Sequence, residues 1–291
     1  MKKKIIIIGI LIVVVVVLLL IPRDVYKKIF KKNTTNPNQP KEELIYQTLF
    51  VKNDKNCLVG IKVGVIKLED DEIAQKWDLL TKNVSSLPSG YTSPINSSTT
   101  LYSHVIDSTS LVLNVSEDFV NSDGRTAIEC LAWNFCNDKI KNVVVKVDDK
   151  IIDEVGNFYF SRITKEMGTN FTYEAQDLFE SSYLTVVYYE NDVIKPVTYF
   201  FDDSNNIYDY AIGKMFKNDK DLSELVNAKG YTYEVKDTEL VINLSYGGSF
   251  DDNMKNTILE TVKLNFKLSN LSINGSDTVM LTESFIGEKA E

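Results

Sequence analysis

Histidine, tryptophan and cysteine are almost missing from this chain of 291 residues, which has one, two and three of them. A single histidine, His104, excludes a zinc site built on two or three imidazoles, and a serine–histidine–aspartate relay would have to run through it alone. It falls at the end of an expected strand, a position that suits a structural role. Cys57, Cys130 and Cys136 form an odd set with no Cys-x-x-Cys pair, which argues against a disulfide framework. Cys130 and Cys136 stand six apart on an expected helix and so point to different faces. Buried free thiols are the expectation. Glycine and proline, at 13 and 6, are too scarce for a fibrous or disordered protein.

Reactive constellations are equally scarce. Ser85-Ser86 and Ser97-Ser98-Thr99-Thr100 lack the glycines of a nucleophile elbow, no glycine-rich phosphate loop precedes a helix, and Gly247-Gly248 is a lone turn pair. Asp70-Asp71, Asp148-Asp149, Asp202-Asp203 and Asp251-Asp252 offer the carboxylates of a glycosidase, but each pair sits at an expected turn or helix start, where solvated or dipole-matched carboxylates belong. No catalytic, cofactor-binding or metal-ligating residue is assigned, and the chain is expected not to be an enzyme. The aromatics Tyr183, Tyr188, Tyr189, Tyr199, Phe200 and Phe201 are dense enough for a binding face. Alternation along strands sends most of them to the core.

There is one long hydrophobic run. Ile5 to Ile21 is seventeen residues broken only by Gly9, a helix of about 25 Å at 1.5 Å per residue. Flanking lysines can snorkel to make up the rest of a hydrocarbon core of about 30 Å. Lys2, Lys3 and Lys4 also suit a signal peptide, but Leu18-Leu-Leu-Ile-Pro22 has no small-x-small cleavage site and no lipoprotein cysteine follows. Residues 1–32 are therefore expected to be a short cytoplasmic tail, a single transmembrane anchor and a basic flank. The remainder is placed outside the cytoplasm, a long domain being translocated largely regardless of charge. Eight of the 32 basic residues but only Asp24 of the 41 acidic ones precede Asn33, leaving 24 basic against 40 acidic, a net charge of −16. Nucleic acid and anionic headgroups are poor partners for such a surface, and a basic protein is an easier one.

What the chain does have is a repeat. Leu111-Val-Leu-Asn-Val-Ser116 returns 129 residues later as Leu240-Val-Ile-Asn-Leu-Ser245. Val105-Ile-Asp-Ser-Thr109 and Val235-Lys-Asp-Thr-Glu239 precede the two copies, and Thr126-Ala-Ile-Glu129 and Asn134-Phe135 find counterparts in Thr257-Ile-Leu-Glu260 and Asn265-Phe266. The chain reads as one small fold built twice.

The first copy, residues 44–150, follows a polar linker over 33–43. Leu44 to Val51 and Leu58 to Lys67 predict a hairpin around Lys52-Asn-Asp-Lys-Asn56. Glu69-Asp-Asp-Glu72 opens a helix with Ile73, Trp77 and Leu80 on one face. Thr99 to Val105 and Ser110 to Ser116 predict the central hairpin, Ser122 or Asp123 caps a helix carrying Ala127, Ile128, Leu131, Ala132 and Phe135, and Val143 to Val147 closes the copy. The expected fold class is α+β, each copy a small mixed sheet with both helices packed on one face. A connector over 151–182, with room for a short helix, leads to the second copy, residues 183–281. There strands start at Leu184 and Val197, and Ile207, Ala211, Met215 and Phe216 mark a helix. Tyr231 to Glu234 and Glu239 to Ser245 pair, Ile258, Val262 and Phe266 face inward, and Leu271-Ser-Ile273 ends the copy before a tail over 282–291.

This order of elements, with Gly90-Tyr-Thr-Ser-Pro-Ile95, Leu111-Val-Leu-Asn-Val-Ser-Glu-Asp-Phe119 and Val143-Val-Val-Lys-Val-Asp-Asp149, resembles the GerM domain family of sporulation and spore germination. The resemblance covers roughly 44 to 150, and 183 to 281 less closely. The second copy lacks the Gly-x-x-Ser-Pro loop, and Tyr246-Gly-Gly-Ser-Phe250 stands in place of the Ser-Glu-Asp-Phe turn. The resemblance implies a membrane-anchored, extracytoplasmic, non-enzymatic assembly module of the cell envelope, with envelope proteins or further copies of itself as partners, in sporulation or germination. It implies no cofactor. A peptidoglycan hydrolase and a receptor for a small ligand lodged between the copies are the competing expectations.

Overall fold

A computed structural model describes residues 44–66 and 71–285. The expected anchor at 5–21, the linker at 33–43 and Asp70 lie outside the described residues. Among those described, no helix is long and apolar enough to cross a membrane.

The repeat is clearest in its central strands. β4 (Leu101–Asp107) and β5 (Ser110–Val115) form an antiparallel hairpin turned by Ser108 at positive φ, and β13 (Tyr231–Lys236) and β14 (Glu239–Leu244) form another turned by Asp237. Leu111, Leu113 and Val115 are fully buried and alternate with half-buried residues; Leu240, Ile242 and Leu244 do the same in β14. Each of these strands then pairs in parallel with a strand that follows a helix, β6 (Asn142–Val147) or β15 (Asn270–Asn274). A parallel pair needs a crossover, and α2 (Gly124–Phe135) and α5 (Asp252–Asn265) supply it. Leu113 faces Val145 across the parallel pair as Ile242 faces Ile273. The two residues hold the same place in the two copies.

Each copy opens with a hairpin: β1 (Leu44–Asn53) with β2 (Leu58–Ile66), and β11 (Ser181–Glu190) with β12 (Val193–Asp202). The second turns at Asn191 and Asp192, both at positive φ, as a two-residue hairpin loop requires. Helix α1 (Glu72–Leu80) follows the first hairpin and α3 (Ile207–Met215) the second.

One sheet per copy, as the sequence predicts, is not what forms. The opening hairpins pack into the cores of their own copies but join each other edge to edge, Val193 opposite Ile61 and Ile194 opposite Gly60, in a six-stranded sheet that both repeats share and that ends at β3 (Tyr91–Thr92) beside β1. The central hairpins build separate four-stranded sheets, β4-β5-β6-β7 with β7 (Lys150–Ile151) and β13-β14-β15-β16 with β16 (Val279–Ser284). The free edge of β2 has unpaired backbone groups, and the equivalent edge of β12 satisfies part of them.

The connector is not a plain link. It forms the small hairpin β8 (Glu154–Val155) and β9 (Phe158–Tyr159), single-turn 3-10 helices at Lys165–Met167 and Leu178–Glu180 where the sequence leaves room for a short helix, and β10 (Thr172–Tyr173). β10 pairs in parallel with β12 beyond its contact with β2. Among the elements with no counterpart in the sequence reading are β7 and the connector strands β8, β9 and β10 and, in the second copy, α4 (Lys220–Asn227) and β16. α4 starts at Asp219, whose carboxylate accepts from Leu222 N–H at 2.9 Å, and buries only Leu222. An eight-residue helix with one buried side chain leaves little periodicity to read.

Candidate functional site

The residues singled out for chemistry are dispersed into structural roles. His104 sits in β4 with Nε2 3.2 Å from Asp71. That aspartate is the N-cap of α1 and accepts from Ala74 N–H at 2.9 Å, so the contact ties the helix to the strand. Asp148 and Asp149 occupy the turn between β6 and β7, both at positive φ, and Asp149 accepts from the Asn114 amide at 2.7 Å. Asp202 accepts from Gln176 N–H and Asp203 from Ser182 Oγ. Asp251 caps α5 through Met254 N–H. Asp71 and Asp251 thus serve their own helix caps, while Asp149, Asp202 and Asp203 tie their turns to residues 21 to 35 positions away. Among the described residues no three His, Cys, Asp or Glu side chains gather into a metal-binding group.

Burial pushes the Cys130 thiol up to about 12, against the lowering effect of its Asn134 hydrogen bond. The Cys136 thiol rises to about 11, also through burial. Neither has the depressed value of a reactive cysteine. Of the aromatics, Tyr188, Tyr199 and Phe201 enter the core, Tyr189 and Phe200 are half-buried, and Tyr183 is exposed.

An asparagine clamp appears in both copies, buried in the first and half-buried in the second. On α2, Asn134 Oδ1 accepts from Phe50 N–H at 2.9 Å, and its amide donates to Phe50 O at 2.8 Å and to Cys130 O at 2.9 Å. On α5, Asn265 repeats the pattern on Thr185, accepting from its N–H at 2.9 Å and donating to its carbonyl and to Thr261 O at 2.7 Å. Val187 and Tyr189 N–H donate to the Thr261 and Thr257 hydroxyls at 3.0 and 3.1 Å. Side chains spaced one helical turn apart thus close an outer strand edge that would otherwise be unpaired.

A second polar line runs through the junction of the copies. Thr185 and Thr198 hydroxyls lie 2.8 Å apart, Thr169 N–H donates to Thr198 Oγ1 at 2.9 Å, and Thr169 Oγ1 donates to Glu129 Oε2 at 2.6 Å. The line ends at Arg125, whose Nε–H donates to Glu129 Oε1 at 2.8 Å and whose guanidinium lies 3.8 Å over the Phe171 ring. Burial raises the Glu129 carboxyl above its ordinary range, only partly countered by Thr169 and Arg125. Asn170 stitches the two hairpins beside this line: it accepts from Leu58 N–H at 2.8 Å and donates to Leu58 O and Pro196 O at 2.7 Å each.

A third cluster fixes the connector to α3. Glu174 accepts from Lys214 at 2.7 Å and from Tyr210 OH at 2.6 Å, and Lys217 donates to Tyr199 OH. Burial alone would raise the Glu174 carboxyl, but the hydrogen bonds from Lys214 and Tyr210 with the charges of Lys214 and Lys217 hold it below the usual range. Arg125 and Glu129 carry the four-residue spacing of a helical ion pair, but nothing in the spacing of Glu129, Thr169 or Glu174 marks the contacts that join them across the connector, whose partners lie 36 or more residues away.

No family model matches the chain, and no curated protein is similar to it in sequence. Among solved structures, it superposes on the tandem GerMN domains of the sporulation protein GerM from Bacillus subtilis with a TM-score of 0.65 and 17% identity, over 80% of this chain and 92% of that one. The chain has the tandem GerMN fold. The first GerMN domain of the same protein, alone, aligns with 41% of this chain and 96% of its own at 15% identity and a TM-score of 0.38.

Among the described residues, the surface of this GerMN-like tandem has free sheet edges and open depressions. β4 and β13 each end their sheet. β4 is exposed at Tyr102, Val105 and Ile106, whereas β13 carries the ion pair Glu234–Lys236 at 2.9 Å. An open depression of about 590 Å³ is lined by Val143, Ile151, Tyr159, Phe160 and Ile163 beside β6. A second, polar one lies at Tyr102, Glu117, Asp118 and Asp148. Both are lined by residues of the first copy and its connector.

Proposed function

We propose that this protein is a non-enzymatic docking module of the cell envelope, held by residues 5–21 as a single-span anchor with its two GerMN repeats outside the cytoplasm. Envelope proteins, or further copies of the chain, bind the sheet edges and helix faces of the repeats. The observation that carries this reading is the free edge that each copy presents, β4 in the first and β13 in the second, beside polar groups that are engaged within the fold. An exposed edge strand is a template for strand addition. The GerMN likeness supports the fold side of the reading, and a role in sporulation or germination follows if the structural neighbour's setting carries over.

Photo-crosslinking from positions in β4 and β13 in living cells, with sedimentation of the full chain in detergent, tests the reading. It expects crosslinks to envelope proteins or concentration-dependent self-association. A chain that stays monomeric and crosslinks to nothing removes the basis. Release of muropeptides from purified peptidoglycan would replace docking with hydrolysis.

A further inference from the structure

The outer face of the shared sheet has an aromatic row that the docking reading leaves unused. Tyr173, Phe200 and Tyr183 face one another across β10, β12 and β11, with ring centroids 5.1 and 6.0 Å from Phe200. Their strand neighbours Tyr199 and Phe201 point the other way into the core. Tyr173 is 60% exposed and Tyr183 53%; just beyond them the turn Leu178–Glu180 holds Leu178 at 57% and Phe179 at 99%. A phenylalanine left wholly in solvent beside two open tyrosines is an apolar patch of the kind that marks an interaction site.

Charge tells what kind of partner fits. From Gly168 to Gly213 the only basic residue is Lys195, against Glu174, Asp177, Glu180, Glu190, Asp192, Asp202, Asp203 and Asp209; of these, Glu174 and Asp192 are already met by Lys214 and Lys62 from outside the stretch. Lys195 alternates with Tyr199 and Phe201 on the opposite side of β12. Asp177, Glu180, Asp202 and Asp203 rim the patch, and three of them are fixed by hydrogen bonds from Phe179 N–H, Gln176 N–H and Ser182 Oγ. Their second oxygens can still accept from a cation. The row also holds an internal precedent: Phe171, 5.9 Å from Phe200, carries the guanidinium of Arg125 on its face. One end of the series is thus occupied by an arginine of this chain, and the other end, ringed by carboxylates, is open.

We infer that this acidic aromatic patch docks a cationic amphipathic segment of a partner protein, an arginine stacking on Tyr173, Tyr183 or Phe179 while its guanidinium meets the rim carboxylates and an adjacent apolar side chain covers Leu178. Arginine suits the site better than lysine because its planar, weakly hydrated head stacks and forks at once. The inference rests on the docking reading and names its partner's chemistry at a surface separate from β4 and β13.

The test uses the full chain in non-ionic detergent and a fluorescein-labelled peptide of alternating arginine and leucine, read by anisotropy. Phe179→Ser and Glu180→Lys should each weaken binding about tenfold, as loss of an exposed anchor does, with unchanged unfolding midpoints. Added salt should weaken the wild-type complex, and lysine in place of arginine should bind less well. Equal affinity in wild type and variants overturns the inference, as does equal binding of a peptide with glutamate for arginine. So does a Phe179→Ser defect seen with phosphatidylcholine vesicles and not with the peptide, which would make the patch a lipid contact. If crosslinks from β4 and β13 persist while the peptide result fails, this inference alone falls. If the crosslinks fail and the variants still discriminate the peptide, the patch stands without the edge strands.

Discussion

Glu129 shows how a single residue answers to its burial. Its carboxyl is raised from the ordinary 4.5 by desolvation, against hydrogen bonds from Thr169 and Arg125. A raised carboxyl keeps its proton in the folded state over a window where the unfolded chain has already released it. Its contribution to stability is therefore fully present below about pH 4.3 and is lost as pH rises through the raised value. Glu129→Gln keeps the shape without the titration. Urea unfolding at a series of pH values should show the wild type losing stability across that window relative to the glutamine variant, by about 1.4 kcal/mol for each pH unit between the folded and unfolded titration midpoints. Parallel curves would mean that Glu129 titrates alike in both states. Sequence alone matches Glu129 on its helix with Glu260 in the other copy, but the hydroxyl that meets its carboxylate belongs to Thr169, 40 residues on, and no local pattern encodes that.

At the scale of elements the asparagine clamp gives the sharper test. Asn134 serves both backbone groups of Phe50 from a buried position, and Asn265 serves Thr185 from a half-buried one. Alanine at either position strips an outer strand's N–H of its partner, and at Thr185 the C=O as well, while Phe50 O keeps the weak Cys130 Sγ donor at 3.3 Å; a buried group left unpaired costs about 1–3 kcal/mol. Chemical denaturation should therefore find Asn134→Ala costlier than Asn265→Ala, since water can reach the second site and replace part of what is lost. Equal costs would deny the clamp in the first copy its buried character. The pairing of Asn134 with Asn265 was legible as a repeat, as were the strands around Leu113 and Ile242, because a two-residue alternation survives substitution of Leu by Ile. The hairpin at 44 to 66 was legible too, and in the second copy the strands at 184 to 189 and 197 to 201, but neither the turn at Asn191 and Asp192 that pairs those two nor the merger of the hairpins. Which edge a hairpin offers to another depends on residues more than a hundred apart, Ile61 and Val193, and neither carries a local sign of it.

That merger decides how the molecule behaves as a whole. Two GerMN copies joined by a free linker would unfold independently, whereas here β2 and β12 share a sheet, Asn170 bridges Leu58 and Pro196, and Thr169 reaches from Thr198 to Glu129. Lys165 adds to the seam: it lies half-buried over the Trp133 ring at 5.2 Å, and desolvation lowers its pKa while the Glu260 carboxylate of the second copy acts in the opposite direction. Both tryptophans, Trp77 and Trp133, belong to the first copy, so their fluorescence reports that copy alone while far-ultraviolet dichroism reports both. In the wild type the two signals should follow one denaturation curve, as coincident probes do when unfolding is cooperative. Gly168 stands at φ 73 with its Cα against the Thr198 side chain, so Gly168→Ala meets both a disfavoured backbone region and a clash. That substitution and Asn170→Ala act on the seam and spare both cores. They should separate the tryptophan curve from the dichroism curve. Curves that diverge already in the wild type would show the shared sheet too weak to couple the copies. Curves that stay together in both variants would move the coupling to the Val193–Ile61 ladder alone.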